Sequence, residues 1–474
     1  MKNTLLLLLI LCFHISFSQI DRSQPPPAEP YKKVLLKSPK SFTLKNGLKV
    51  LVVASHKLPT VSIQLTIDNP PVAEKDKAGI GSLTGQLLGS GTEEVSKDAF
   101  NEEIDFLGAH VYFTAQSATA NGLSKHFSKI LTLMVDAAIQ PKFTAEEFDK
   151  KKALFITSIK TAENDVAAIS ERAQATLAYG KNHPYGEITT EETINNITLN
   201  AIKNYYQSYF TPNNAYLVII GDVHYKTVKK LVTRAFDSWV NTAVPIADYK
   251  IPENTPIPQI NFINMDNAVQ SEISVQHLVN LKMNDPDYLA IIIANQILGG
   301  GDGRLFANLR EDKAYTYGAY STIRDNKYNP VRFNAFAKVR NIVTDSAIVQ
   351  ILKEIDDITN QPINPEELAL VKAKYTGNFI MALEKAQTIA NYAVNLEKEN
   401  LTADFYTSYL ERIAAISIED VQHAAKKYFG TKNTRIIVVG KKEEVFKNLE
   451  KIKLNNQYLP VIEYDKNLNI IAKN

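Results

Sequence analysis

The side chains of this 474-residue sequence that could ligate a metal or attack a substrate are few, and their spacing suits neither task. Past the N-terminal segment the histidines are His56, His110, His126, His183, His224, His277 and His423. No two lie three or four residues apart, so no single helical turn can offer a histidine pair to a metal ion. Cys12, the one cysteine, sits inside the first eighteen residues, so a chain trimmed of them has no thiolate ligand, no disulfide and no cysteine nucleophile. Gly299-Gly300-Gly301-Asp302-Gly303 is glycine-rich but is not a phosphate loop, because no Lys-Ser/Thr follows the final glycine and no G-x-G-x-x-G helix entry is present. It reads as a turn packing closely before a helix. The charged run Glu146 to Lys152 reads as a solvated helix face.

Composition narrows the classes further. The chain is 45% hydrophobic and 22% charged, as expected of a globular protein, and its net charge of +2 gives no reason to expect nucleic acid as a partner. Residues 1–18 read as a secretory signal: Lys2, the apolar run Leu5 to Phe13, and Ser16-Phe17-Ser18 as a small-x-small cleavage site. That run is too short to span a bilayer, so no membrane span is expected in the mature chain. The bulky Leu11 before Cys12 argues against a lipid anchor. Export without disulfides points to a periplasmic or secreted protein.

The elements that must position any chemistry fall into two related halves. Residues 19–40 form a proline-rich leader, and 245–258, with four prolines, read as a linker between 41–244 and 259–474. Ile197 to Gly221 aligns without a gap on Ile416 to Gly440, an offset of 219, with Ile197/Ile416, Tyr209/Tyr428, Phe210/Phe429, Asn214/Asn433 and Gly221/Gly440 identical. Gln86 to Gly91 matches Gln296 to Gly301 at an offset of 210. Two in-order matches at similar offsets argue for duplication. Leu44 to Val53 predicts a hairpin around Asn46-Gly47, Thr60 to Ile67 a half-buried strand, Phe127 to Ala138 and Ala145 to Glu163 helices, and Gly108 to Ala115 another strand. The expected class is α+β: two homologous domains, each a mainly antiparallel sheet with helices on one face.

These landmarks together resemble the insulinase/pitrilysin family of zinc peptidases, which includes the mitochondrial processing peptidases. The resemblance rests on LKNGLKVLV at 44–52, KAGIGSLTGQLLGSGT at 77–92, HPYG at 183–186, YFTPNNAYLVIIGDV at 209–223 and LGGGDGRLFANLREDKAYTYGAYS at 298–321, in this order and spacing. It implies that the chain forms half of a clamshell. Active members bind zinc with His-x-x-Glu-His and a later glutamate. Here the first histidine falls on Ser82, the base on Gly85, the second histidine on Gln86, and the distal glutamate near Ser158, with Glu163 the nearest acid. The resemblance therefore implies that this chain binds no cofactor and that zinc belongs to a homologous partner subunit.

It also directs attention to Arg310 and Tyr317. In the family such a pair, contributed by the half without metal, reaches the zinc site and holds the substrate carbonyl and developing oxyanion. Without the resemblance, Arg310 reads as a cation at a helix end and Tyr317 as a strand tyrosine, and Tyr315 is the decoy. Gly299, Gly300 and Gly301 correspond to a longer substrate-contacting loop of the non-catalytic processing-peptidase subunit. HPYG is a structural turn shared by many members, and the strand at 108–115 is where active members lay peptides along a sheet edge. The implied function is that of an exported non-catalytic subunit acting with a zinc-bearing partner on peptides or unfolded segments. The alternative is a non-enzymatic peptide-binding or structural core protein of the same fold.

Overall fold

Alternating apolar residues set the first sheet. In the computed structural model, which describes residues 39–246 and 248–471, β3 (Thr60–Ile67) buries Val61, Ile63, Leu65 and Ile67 and leaves the residues between them partly open. It lies between β5 (Ser117–Leu123) and β6 (Ala215–Gly221), antiparallel to both. β1 (Lys40–Thr43) and β2 (Lys49–Ala54) form the hairpin turning at Asn46-Gly47, and β2 runs parallel to β6. Among the described residues β4 (His110–Thr114) pairs with β5 alone, which gives the order β1-β2-β6-β3-β5-β4 with β4 at an edge. The expected signal segment and all but the last two residues of the leader lie outside the described residues.

The second sheet repeats this plan. Its order is β14 (Val461–Tyr464), β7 (Gln259–Asn264), β11 (Arg435–Gly440), β8 (Gln270–Val279), β10 (Val331–Arg340) and β9 (Thr316–Thr322), with β9 at the edge that β4 occupies in the first. β7 runs parallel to β11 and β14, the other neighbours are antiparallel, and β12 (Lys453–Leu454) pairs with β13 (Gln457–Tyr458) in a separate two-stranded sheet. Between residues 236 and 258 the described residues form neither helix nor strand.

The helices repeat as well. In chain order they are α1 (Ile80–Leu87), α2 (Lys97–Phe106), α3 (Phe127–Ile139), α4 (Ala145–Ala162), α5 (Val166–Tyr179), α6 (Glu191–Asn195), α7 (Leu199–Tyr209) and α8 (Tyr225–Ala235) in the first half. The second half has α9 (Tyr288–Gly299), α10 (Thr344–Asn360), α11 (Pro365–Ala382), α12 (Ala386–Lys398), α13 (Tyr409–Ala415), α14 (Ile418–Tyr428) and α15 (Lys442–Leu449). α4 and α11 are each 18 residues long and lie 220 positions apart, from 145 to 365.

The first sheet carries α2, α3 and α8 of its own half on one face, where Phe100, Met134 and Val232 join Ile63 and Leu217 in a core. The other face is not left to solvent, as a one-sided arrangement would have it. It takes α12 from the second half, with Ala390 fully buried against Leu51, Tyr216, Val218 and Ile220. Reciprocally, α5 of the first half lays Ile169 and Ala173 on Ile263, Ile437 and Val439 of the second sheet. This exchange explains why every residue of β6 is buried: it is covered on both faces.

Candidate functional site

α1 is the helix on which the metal ligands were expected to be missing. Its apolar side, Ile80, Leu83 and Leu87, packs with Phe148 and Ile159 of α4 and Ile194 of α6, so the helices carrying Ser82 and Ser158 are brought together. Its N-terminus is capped by Glu74, whose carboxylate accepts the Gly79 N–H at 2.6 Å and the Gly81 N–H at 2.9 Å. Burial pushes the Glu74 carboxyl above its usual range, against the pull of those two N–H bonds, and Tyr205 beside it is held protonated mainly by burial. In the sequence Glu74 is only an acid a few residues before a helix. Its role became visible when the fold folded it back over the first turn.

Ser82 and Gln86, one turn apart, are both exposed, and Gly85 between them is buried. A Cβ at Gly85 would sit 2.6 Å from the Ala115 nitrogen and 2.8 Å from Thr114 Cα, in the turn between β4 and β5. The backbone of that turn thus occupies the place a side chain at this position would need. Ser158 is exposed on α4, its hydroxyl turned back to the Phe155 carbonyl at 2.7 Å, and Glu163 is exposed at the C-terminal end of the same helix. A hydroxyl, an amide, no side chain and a second hydroxyl do not fit a zinc ion, which takes imidazole, thiolate or carboxylate. Among the described residues no group of three or more His, Cys, Asp or Glu is placed to hold a metal.

In the second half the Arg/Tyr pair comes together. After Gly303 a single α-helical turn, Arg304–Phe306, widens into a π-helical stretch, Ala307–Asp312, rather than continuing as one short α-helix. Arg304 anchors it through two bonds to the Glu367 carboxylate, 2.9 and 2.6 Å, and Leu309 is buried beneath. Arg310 then lies between two rings, its guanidinium carbon 4.7 Å from the centres of Phe306 and Tyr317. Among the described residues its ion-pair partner is Glu311 at 3.3 Å, and Tyr317, at the start of edge strand β9, is 85% exposed. A guanidinium and a phenol side by side, open to solvent, can donate hydrogen bonds to an approaching oxyanion.

The glycine loop divides. Gly299 is buried, and a Cβ there would lie 2.0 Å from the Ser321 nitrogen of β9, so this glycine is required by the packing of helix on strand. Gly300 is also buried, against Gln296, and only Gly301 faces solvent. The HPYG turn fastens the halves: His183 Nε2 lies 3.2 Å from Asn329 Oδ1, and the Asn326 amide donates to the Tyr185 hydroxyl at 3.0 Å. At the other edge, β4 leaves His110 and Tyr112 exposed.

A twice-repeated α+β unit with Ser82, Gly85 and Gln86 on the helix in the metal-binding position defines a metallopeptidase-like fold. The chain belongs to the insulinase family, peptidase family M16: residues 49–189 match the family model described as Insulinase (Peptidase family M16), and residues 196–375 match the model described as Peptidase M16 inactive domain. Among relatives, it is 24% identical over 294 residues to the uncharacterized zinc protease YmxG of Bacillus subtilis, covering 60% of this chain and 69% of that one. It is 20% identical over 421 residues to the mitochondrial-processing peptidase subunit beta of Lentinula edodes, covering 84% and 89%. Among solved structures, the peptidase M16 inactive domain from Pseudomonas fluorescens superposes with a TM-score of 0.77 at 20% identity, covering 85% of this chain and 98% of that one.

Proposed function

We propose that this chain is an exported, non-catalytic subunit of a two-chain M16 zinc peptidase. A homologous partner carrying His-x-x-Glu-His would supply zinc, water and base. This chain would wall off part of the chamber and contribute Arg310 and Tyr317 to it. The substrates would be peptides or unfolded segments, since an enclosed chamber excludes folded proteins. The observation that carries the reading is a contrast between the halves. The position of the base, Gly85, is closed by backbone, while Arg310 and Tyr317 stand stacked and accessible.

The experiment is co-purification with such a partner, followed by peptide cleavage with wild type, Arg310→Ala and Tyr317→Phe. Removal of one preorganised donor is expected to lower turnover by roughly 10²–10³ while the two chains still associate. Cleavage at the wild-type rate by both variants would return these residues to a structural role.

A further inference from the structure

The duplication makes a second place of interest: the counterpart, in the second half, of the α1–α4 site. Gln296 on α9 is the repeat mate of Gln86, and Asn378 on α11 stands 220 positions beyond Ser158, the offset that relates α4 to α11. Both residues line one cavity of about 370 Å³, within the size range of ligand pockets. Asn295, the mate of Gly85, is buried and bonded to Ser321 of β9, and the hollow opens one position further on, between Gln296 and Asn378.

The lining of this hollow is specific. One wall is a ladder of near-parallel rings: Tyr409 over Phe379 at 4.7 Å and 10°, and Tyr392 over Tyr406 at 3.7 Å and 7°, with Phe379 and Tyr392 15° apart in plane. Facing the space are the Gln296 and Asn378 amides and the Tyr392 hydroxyl, which make no hydrogen bond to any described residue. Burial holds the Tyr392 phenol up at about 12, so it is a donor at any ordinary pH. Lys374 and Asp302, which also line the cavity, are paired with each other at 2.6 Å, so the neutral amides and phenols beside flat rings match an uncharged aromatic group flanked by amides.

The shape extends this match. A second cavity, about 430 Å³, shares Met283, Tyr288 and Asn395 with the first and runs between the halves to Asp68 and Gln116. Gln116 belongs to the β4–β5 turn that closes over Gly85. Along the way Lys327 and Lys398 both meet Asp68, Lys398 also lies 3.7 Å from Glu399, and Asp325 accepts from the Tyr288 hydroxyl at 3.4 Å, so among the described residues the floor offers no unpaired cation to an anionic ligand. An elongated cleft with an aromatic pocket at one end suits an extended segment better than a single compact ring.

We infer that these adjoining cavities are a peptide-binding cleft, in which the second-half counterpart of the metallopeptidase site takes an aromatic side chain and its amides pair with the flanking backbone. This goes beyond the subunit reading and does not rest on it, because binding is measured on the full chain without a partner. The test is titration calorimetry with N-acetyl-Ala-Ala-Tyr-Ala amide, the all-alanine analogue, and maltose as a saccharide that amides and rings could also hold. The tyrosyl peptide is expected to bind at one site at least tenfold more tightly than the alanyl peptide. Asn378→Trp, which fills the pocket from an exposed helix position, and Gln296→Leu, which removes one amide, should each weaken it at least tenfold with unchanged melting temperature. Equal binding of the two peptides, wild-type affinity in both variants, or binding of maltose instead of the peptide overturns the inference. Loss of peptide cleavage in a two-chain assay bears on the subunit reading alone.

Discussion

Adding a single methyl group to Gly85 tests the closed position on α1. An alanine Cβ there would meet the Ala115 nitrogen at 2.6 Å and Thr114 Cα and carbonyl carbon at 2.8 Å, against ordinary contact from 3.4 Å upward. The turn would have to retreat by about 0.8 Å. It is poorly able to do so: the Gln116 carbonyl accepts the Ile67 N–H at 2.8 Å, and the Thr114 and Ser117 hydroxyls are bonded at 2.8 Å. Overpacking of this kind costs about 1–3 kcal/mol. Replacing a helical glycine by alanine recovers about 1 kcal/mol of helix propensity. Gly85→Ala should therefore lower stability by about 1 kcal/mol net, and Gly85→Glu, which also drives a carboxylate against backbone, by about 3 kcal/mol or more. The assay is urea unfolding followed by circular dichroism, comparing midpoints at constant slope. Ser82→Ala, on the exposed side of the same helix, serves as the control and should stay within about 0.5 kcal/mol of wild type. A Gly85→Ala protein more stable than wild type by the full propensity gain would refute the argument.

Other outcomes follow from the same structure. Ser82→His/Gln86→His, both at exposed positions one turn apart, should fold normally yet hold no stoichiometric zinc after dialysis, because Ser158 supplies no third ligand; tightly held zinc in this variant or in wild type would count against the reading of the site. Glu74 titrates above its unfolded value of about 4.3, so between those two values the folded state binds more protons and stability falls as pH rises, levelling off above the folded value. The wild-type-minus-Glu74→Gln difference in urea midpoint should show that slope, and a flat difference from pH 4 upward would remove it. Since α5 and α12 each sit on the opposite sheet, calorimetry should record one unfolding transition for the described fold, and two separated transitions would contradict the interlock.

Much of this architecture can be read from residue pattern. Thr60 to Ile67 alternates cleanly and is β3, and the expected helices at 127–138 and 145–163 are α3 and α4 with ends shifted by one residue. The repeat of Ile197–Gly221 in Ile416–Gly440 gave α7–β6 and α14–β11 their equivalence. Which sheet a helix covers was not legible. The buried face of α12 is Ala386, Ala390, Ala393 and Val394, and small apolar residues of this kind record burial without naming a partner. The same limit applied at the site. The loss of ligands at Ser82, Gly85 and Gln86 is a matter of residue type and needs only the sequence. The closure over Gly85 depends on a turn thirty positions away, and the stacking of Arg310 on Tyr317 depends on a π-helical widening that has no local signature. The ring ladder, assembled from α11, α12, the turn holding Tyr406 and the start of α13, was invisible for the same reason.

The exchange of α5 and α12 has a mechanical consequence. A chain whose halves each hold down the other's floor has no free hinge along its own middle, for swinging one half outward would strip Ala390 and Ile169 from their sheets together. The sheet edges at β4 and β9, each paired on one side alone among the described residues, stand outside that interlock.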